Sequence, residues 1–130
     1  MRSTRIDKRM TIRQLSIETG ISASRISALE SGRAAPSDYE VYRLRYVLGQ
    51  EIKFTDPETA EKNKAEFDSR MAGMAAVIAE TRRLGFGRDR GGTGEMDCPK
   101  CGSRLFFSVA SINGHVWAKC SKDGCIGFMQ

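Results

Sequence analysis

The chain has 130 residues and a formal charge of +5, from 21 Lys and Arg against 16 Asp and Glu. Apolar residues make up 40 % of it and charged residues 28 %, which indicates a folded protein rather than a disordered one. The length allows one ordinary domain or two small ones and excludes most doubly wound and barrel enzymes. No apolar run approaches the roughly 18 residues of a membrane span, and the basic N-terminus lacks the apolar segment of a secretion signal. We therefore expect a cytoplasmic protein that is not bound to a membrane.

Catalysis is disfavoured by the side chains that are available. The single histidine, His115, lies between cysteines and has no plausible acid partner nearby for a Ser-His-Asp or Cys-His arrangement. The sequence also contains no phosphate-binding glycine loop of either main type. We therefore expect the protein not to be an enzyme.

Charge and composition divide the chain into four parts. The N-terminal part carries ten Lys or Arg against six Asp or Glu, a balance of +4, which suggests nucleic acid or an acidic partner. Five glycines fall within residues 85–94, and such a segment should behave as a flexible linker. The parts are a helical domain over 1–55, a connecting helix over 56–84, a linker over 85–95 and a cysteine-containing domain over 96–130.

Two short helices with almost no linker are predicted near the N-terminus. Thr11 and Gln14 have the spacing of a capping box, which places a helix over 12–19. Gly20 can end that helix in the left-handed conformation, and Ser22 can cap the next one. Two short helices joined at a glycine-containing turn are typical of a helix-turn-helix.

Two further helices follow. Ser37 and Glu40 form a second predicted capping box, and its helix ends at Gly49. Asp56 can cap a long helix that starts at Pro57 and runs to about residue 84.

Twelve positions now carry a resemblance to a known family. They are Thr11, Leu15, Ser16, Gly20, Ile21, Ser22, Ile26, Ser27, Leu29, Glu30, Gly32 and Pro36. Their spacing resembles that of the Cro/repressor (XRE) helix-turn-helix family, and the resemblance covers roughly residues 3–55. It implies a five-helix DNA-binding domain that places the second motif helix in the major groove of double-stranded DNA. It also implies an ion pair between Arg5 and Glu30.

The same resemblance assigns the DNA contacts. The residues that would face base edges are Ser22, Ala23, Ser24, Ser27 and Ala28. These side chains are short and make no bidentate base contact, so we expect phosphate contacts and DNA shape to supply much of the affinity. The phosphate candidates are Arg13, Arg25 and Arg33, and Arg25 is long enough to reach a base at the edge of the site. The alternative is a small helical bundle that binds protein.

The connecting helix carries a short heptad pattern. Its apolar positions are Phe67, Met71, Met74 and Ile78. They favour a homodimer seam that sets the spacing of two DNA-reading units. The alternative is a helix that folds back on its own N-terminal domain, whose core is small. Gly73, a weak helix former at mid-helix, is a candidate position for a break in this helix.

The C-terminal part contains all four cysteines, Cys98, Cys101, Cys120 and Cys125. The first pair is a C-x-x-C knuckle, and the second pair has four intervening residues. Four thiolates satisfy one tetrahedral Zn²⁺ and leave no open position for catalysis, so the zinc should be structural and His115 should not be a ligand. Two disulfides are the alternative, which a reducing cytosol disfavours.

The sequence predicts a β-hairpin between the two cysteine pairs. Strands are predicted over 105–112, 115–119 and 126–129, and Asn113-Gly114 is a favoured two-residue turn that would pair Ala110 with Trp117. Cysteine knuckles joined by antiparallel strands resemble a zinc ribbon over 96–130. Some of its aromatic residues should be exposed for nucleic acid or a protein partner, unless they all form its small core.

The sequence thus predicts an all-α helix-turn-helix bundle with a long helix, followed by a small all-β zinc ribbon. The expected function is a sequence-specific transcriptional regulator, a repressor of prokaryotic, phage or plasmid type. One alternative is an antitoxin or accessory protein that mainly binds a protein partner and binds DNA for autoregulation. Another is an RNA or single-strand binder directed by the ribbon.

Overall fold

A computed structural model describes residues 1–129. The helices are α1 (Arg2–Asp7), α2 (Ile12–Thr19), α3 (Ala23–Glu30), α4 (Asp38–Leu48) and α5 (Pro57–Arg83). The strands are β1 (Gly92–Asp97), β2 (Arg104–Val109), β3 (Val116–Cys120) and β4 (Gly127–Met129). The chain divides into two compact units, Met1–Phe67 and a second that begins at Asp68. Helices followed by a small antiparallel sheet confirm the predicted fold class. Within residues 1–129, none of the helices combines the length and apolar character that a membrane span requires.

The helices of the first unit begin and end where the local cap residues predict. The Thr11 hydroxyl accepts from the Gln14 amide at 3.1 Å, and the Gln14 side chain accepts from the Thr11 amide at 2.8 Å. The same reciprocal arrangement joins Ser37 and Glu40. Gly20 ends α2 with φ of 73°, in the left-handed region that favours glycine.

The core of the first unit lies where α2, α3 and α4 meet. Its buried members are Leu15, Ile21, Ile26, Leu29, Leu44, Leu48 and Ile52. The first turns of α5 add to it, because Ala60 is buried and the Asn63 side-chain Nδ2 donates to the Gly32 carbonyl at 2.8 Å. This part of α5 therefore covers the N-terminal bundle, as the fold-back alternative predicts.

The second unit is a four-stranded antiparallel sheet in the order β1-β2-β3-β4, with the C-terminal part of α5 packed on one face. Val77 and Thr81 of this helix are fully buried. The buried residues of the sheet and its adjoining turns are Cys98, Leu105, Phe107, Val109, Val116, Ala118, Cys120 and Ile126. Strand alternation produces this core because successive side chains point to opposite faces.

Helix α5 runs without a break through Gly73. A Cβ at that position would lie 2.7 Å from the Ile126 side chain, so the glycine permits close packing and does not end the helix. The predicted seam residues have different surroundings. Ile78 packs against the sheet core, Phe67 lies beneath the Arg33 guanidinium, and Met71 is exposed. The homodimer stays a prediction.

The predicted flexible linker over 85–95 is wrong for residues 92–95, which belong to β1. Gly94 pairs with Phe107 of β2, and a Cβ on Gly94 would lie 2.5 Å from the Phe107 ring. A Cβ on Gly91 would lie 2.6 Å from the carbonyl oxygen of Val109, the last residue of β2. These glycines therefore permit the close approach of neighbouring groups. The prediction from composition had interpreted them as the sign of a flexible segment.

The predicted two-residue hairpin turn is also wrong. The Ala110 amide donates to the His115 carbonyl at 2.9 Å, so the loop contains the four residues 111–114. Ser108, in place of Ala110, is the partner of Trp117. The register therefore differs by two residues, and because side chains alternate with a period of two, Trp117 lies on the same face of the sheet in both registers.

Candidate nucleic-acid interface and metal centre

The first turn of α3 presents short side chains to solvent. Ser22 caps the helix, because its hydroxyl accepts from the Arg25 backbone amide at 3.2 Å. The same hydroxyl lies 3.3 Å from the Ser24 hydroxyl. Ser22, Ala23 and Ser24 are exposed, whereas Ser27 and Ala28 are half-buried. Three of the five predicted base-facing residues therefore lie on an open helix end.

Arg5 ties α1 to the end of α3. Its Nε and Nη2 donate to the two Glu30 carboxylate oxygens at 2.7 and 3.0 Å, and its Nη1 donates to the Met10 carbonyl at 2.7 Å. The side chains of the pair are only 10 % and 5 % exposed. The pair matches the one that the XRE resemblance implies, and it neutralises the acidic residue of α3, Glu30.

A second ion pair, which the sequence did not predict, joins α3 to α4. Arg25 donates from Nε and Nη2 to the two Glu40 oxygens at 2.8 and 2.9 Å, and from Nη2 to the Ala35 carbonyl at 2.9 Å. The Arg25 hydrogen bond is the main reason that the pKa of Glu40 falls to about 2. Arg25 was predicted to contact phosphate or a base, but its guanidinium is held within the domain.

The two other predicted phosphate contacts differ in their surroundings. Arg13 is exposed on α2. Arg33 is half-buried: its Nε donates to the Ser31 hydroxyl at 2.7 Å, and its guanidinium lies 4.1 Å from the centre of the Phe67 ring. Arg13 is therefore free to extend toward a phosphate, whereas Arg33 must leave a cation–π contact to do so.

Arg43 is a further positioning residue that sequence reasoning missed. From α4 it donates to the carbonyls of Thr19 and Glu18, both at 3.0 Å, and so satisfies the C-terminal end of α2. No local pattern indicates this contact, because the partners lie more than twenty residues apart.

The first unit thus holds two short helices across a glycine turn, with the start of the second helix exposed. Residues 1–52 match the helix-turn-helix family model. The match covers less than half of the 130 residues. It supports a DNA-binding transcription regulator of the XRE type. No curated protein and no solved structure gives a significant match to this chain.

The four cysteine sulfurs form one cluster in the second unit. All four Sγ atoms lie within 4.8 Å of one another; Cys98 and Cys125 are separated by 3.7 Å, and Cys101 and Cys120 by 3.5 Å. A tetrahedron with metal–sulfur bonds of about 2.3 Å has edges of about 3.8 Å. The cysteines are free, and the separations far exceed the ~2.0 Å of a disulfide. The cluster is therefore compatible with a structural metal site.

Each knuckle turns at a glycine, and in the second knuckle a backbone amide also donates to a cysteine sulfur. Gly102 and Gly124 adopt φ of 72° and 71°, a region that favours glycine. The Lys122 amide donates to the Cys120 sulfur at 3.4 Å. The wider second pair therefore brings its sulfurs into the same cluster as the first. His115 is exposed and does not belong to this group.

The thiols of the cluster differ in acidity. The Ser103 hydroxyl lowers the pKa of Cys101 to about 6, whereas burial raises the pKa of Cys125 to about 12. A divalent metal ion would therefore have to displace protons from some of these thiols in order to bind four thiolates.

Proposed function

We propose that the protein is a sequence-specific, double-stranded DNA-binding transcriptional repressor that acts in the cytoplasm. The observation that carries the proposal is the helix-turn-helix match over residues 1–52, together with the exposed first turn of α3. In this proposal α3 enters the major groove. The base-facing residues are Ser22, Ala23, Ser24, Ser27 and Ala28, and the phosphate contacts are Arg13 and Arg33. Occupation of a site that overlaps a promoter is sufficient for repression.

The electrostatics favour binding that relies on the DNA backbone. Two acidic residues lie close to the proposed interface, Glu30 at the end of α3 and Glu40 on α4. Each forms an ion pair with an arginine, which neutralises its charge. The exposed α3 residues are short, so direct readout is limited and groove shape contributes to specificity. Arg25 acts in this proposal as a positioning residue, because its guanidinium already binds Glu40 and Ala35.

The proposal includes one structural Zn²⁺ bound by Cys98, Cys101, Cys120 and Cys125. Four thiolates complete a tetrahedral shell and leave no position for a water nucleophile, so the proposal includes no catalytic activity. The ion would join the knuckle between β1 and β2 to the knuckle between β3 and β4. A reducing cytoplasm keeps these thiols available for metal.

A homodimer remains part of the proposal, with two half-sites about one helical turn of DNA apart. Its support is the exposure of Phe67 and Met71, at 39 % and 43 %. Sedimentation equilibrium tests it directly, because the monomer has a mass of 14.4 kDa. A Met71→Glu variant should shift a dimer to that mass, and a wild-type protein that sediments as a monomer both free and on DNA would remove this part of the proposal.

The main test is selection of bound fragments from random duplex DNA, followed by affinity measurements on the selected site. Arg13→Gln should weaken binding and lower the salt dependence, because one phosphate contact is lost. Arg82→Gln, which removes an exposed arginine of α5, is the matched control and should change neither. Failure of the full chain to retain any duplex at low salt would overturn the proposal and favour a protein-docking role. Transcription from a promoter that contains the selected site should fall when the protein is added; a rise would overturn repression.

A further inference from the structure

The face of the sheet opposite the core carries two exposed aromatic rings. Phe106 of β2 is 42 % exposed and Trp117 of β3 is 44 % exposed. Trp117 pairs with Ser108, two residues along β2 from Phe106, so the two residues occupy diagonal positions on one face, and such positions lie about 7 Å apart. Phe107, on the other face, is 2 % exposed and supplies the aromatic core of this unit. Packing of the sheet therefore does not account for the two outer rings.

The exposed area suits a small flat group better than a folded protein. An aromatic side chain offers 150–250 Å², so these two rings together expose only about 200 Å². A stable protein interface needs about 800 Å² on each partner. A nucleic-acid base, by contrast, needs only one ring on which to stack, and such stacking tolerates any base.

The charges around the rings fit a phosphate backbone. Lys119 pairs directly with Phe106 across the strands and is exposed on the same face. The Glu95 carboxylate, on the neighbouring strand, is bound by Arg104. A groove at the end of β3 is lined by Lys119 together with Lys122, Asp123 and Arg70 of α5, and of these residues Lys119 is the one that pairs with Phe106 on the face of the rings.

The formal charge of −2 on a zinc–thiolate cluster would offset part of the positive charge in that groove. The rings should therefore supply more of the affinity than the cations do. This balance distinguishes the face from the helix-turn-helix, where phosphate contacts are expected to dominate.

We propose that this open face, defined by Phe106, Ser108, Trp117 and Lys119, binds single-stranded DNA. Unpaired bases stack on the two rings, and Lys119 contacts a phosphate. The choice of DNA over RNA rests on the proposed function. The helix-turn-helix would hold the chain on DNA and so raise the local concentration of single-stranded DNA at this face. The rings themselves require only that the bases are unpaired.

Trp117 is the only tryptophan of the chain, so its fluorescence reports on this face alone. Oligothymidylate of about 12 nucleotides, within the usual range for such sites, forms no duplex and is therefore not a ligand for the helix-turn-helix. Titrated into the full-length, zinc-loaded protein at low salt, it should quench Trp117. Absence of quenching, together with absence of an anisotropy change of labelled oligothymidylate, would overturn the proposal.

Three variants sharpen the test. Phe106→Ala leaves the probe in place and should weaken oligothymidylate binding about tenfold, the loss expected for one stacked base. Lys119→Gln should lower the salt slope by about 0.7, the contribution of one phosphate on a single strand. Ile112→Ala, which removes an apolar residue 87 % exposed in the β2–β3 loop, is the matched control and should change neither quantity. Equal affinity of the Phe106→Ala variant and the wild type would overturn the proposal.

Two further ligands separate this proposal from its neighbours. Tighter binding of oligouridylate than of oligothymidylate would overturn the assignment to DNA. Duplex DNA that contains the selected site should bind equally well to the Phe106→Ala variant, because its contacts lie in the first unit. Oligothymidylate binding without duplex binding would leave this face established and overturn only the role of the helix-turn-helix.

Discussion

Arg25 of α3 and Glu40 of α4 form a two-point ion pair that holds the start of α3. The Arg25 Nε and Nη2 atoms lie 2.8 and 2.9 Å from the two Glu40 carboxylate oxygens. The far end of the same helix is held by a second two-point pair, Arg5 with Glu30. Since the intervening residues Ile26 and Leu29 are buried, the orientation of α3 is fixed by a core contact and by an ion pair near each end. Preorganisation of this kind reduces the entropy that binding must overcome.

Neutralising Glu40 should weaken DNA binding, although it removes a negative charge near the proposed interface. Glu40→Gln loses the ionic partner of Arg25, and we expect α3 to be held less firmly and duplex affinity to fall severalfold. Simple electrostatics predicts the opposite sign, since the net charge becomes more positive. Fluorescence anisotropy on the selected duplex distinguishes the two.

The salt dependence tests the role of Arg25 itself. If Arg25 only positions α3, Arg25→Gln lowers affinity with little change in the slope of log K against log salt. A direct phosphate contact would lower that slope by about 0.9, as expected for the Arg13→Gln control. A slope change in Arg25→Gln as large as that in Arg13→Gln would contradict the positioning role.

The same pair should make the first unit sensitive to acid. The pKa of Glu40 is lowered from 4.5 to about 2 in the folded protein, so the pair contributes stability that is fully present above about pH 4.5 and is lost as the pH falls toward 2. The melting temperature of the first unit should therefore decline over this window and decline less steeply in Glu40→Gln. Amide resonances of α3 and α4 followed by NMR separate this unit from the second one. A parallel decline in the variant would show that other groups dominate.

Breaking the Arg5–Glu30 pair should destabilise the first unit strongly. Both side chains are nearly buried, and removing one partner leaves an uncompensated charge, which costs about 3–5 kcal/mol. Glu30→Gln should thus lower the free energy of unfolding far more than the double variant Arg5→Met with Glu30→Leu, which leaves no charge unpaired. The exposed pair of Glu58 and Lys62, with side chains 85 % and 78 % exposed, provides the control. Glu58→Gln there should cost about 0.5 kcal/mol or less, and an equal loss in Glu30→Gln would contradict the burial argument.

Removal of the proposed zinc ion should unfold the second unit while the first stays folded. The two buried cysteines belong to the core of the sheet, and zinc binding in small domains contributes folding free energy of order 10 kcal/mol. A chelator should therefore collapse the NMR dispersion of residues in β1–β4 and leave that of α1–α4. Cobalt substitution should give the absorption of a tetrahedral tetrathiolate, and Cys101→Ser should weaken it. Retention of all sheet resonances in a metal-free sample would contradict a structural role.

The sequence predicted best what is determined locally. The caps at Thr11 and Ser37 depend on side chains three residues apart, so the helix bounds followed from pattern alone. The Arg25–Glu40 pair was missed because its partners lie on different helices, fifteen residues apart, and their approach depends on the packing of α3 against α4. Within the cysteine cluster the residue types sufficed, because two knuckles and the strands between them impose the sulfur positions.

The linker prediction failed for a physical reason that composition does not contain. Glycine is common both in flexible segments and where another group comes too close for a side chain, and only the second applies at Gly94. Phe107, an inward-facing aromatic residue on β2, is the group that approaches Gly94. Its pairing with Gly94 depends on the register of β1 against β2, which cannot be predicted from the sequence alone.

Adding a methyl group at Gly94 should therefore destabilise the second unit. The new Cβ would lie 2.5 Å from the Phe107 ring, and this ring is 2 % exposed and enclosed by the core. Relief of the overlap requires movement of the ring or of β1, so Gly94→Ala should cost about 1–3 kcal/mol in urea unfolding of this unit. Gly127→Ala in β4 is the matched control, because a Cβ there meets nothing within 4 Å, and it should be neutral or slightly stabilising. An equal change of stability in the two variants would show that the close approach of Phe107 does not explain the glycine in β1.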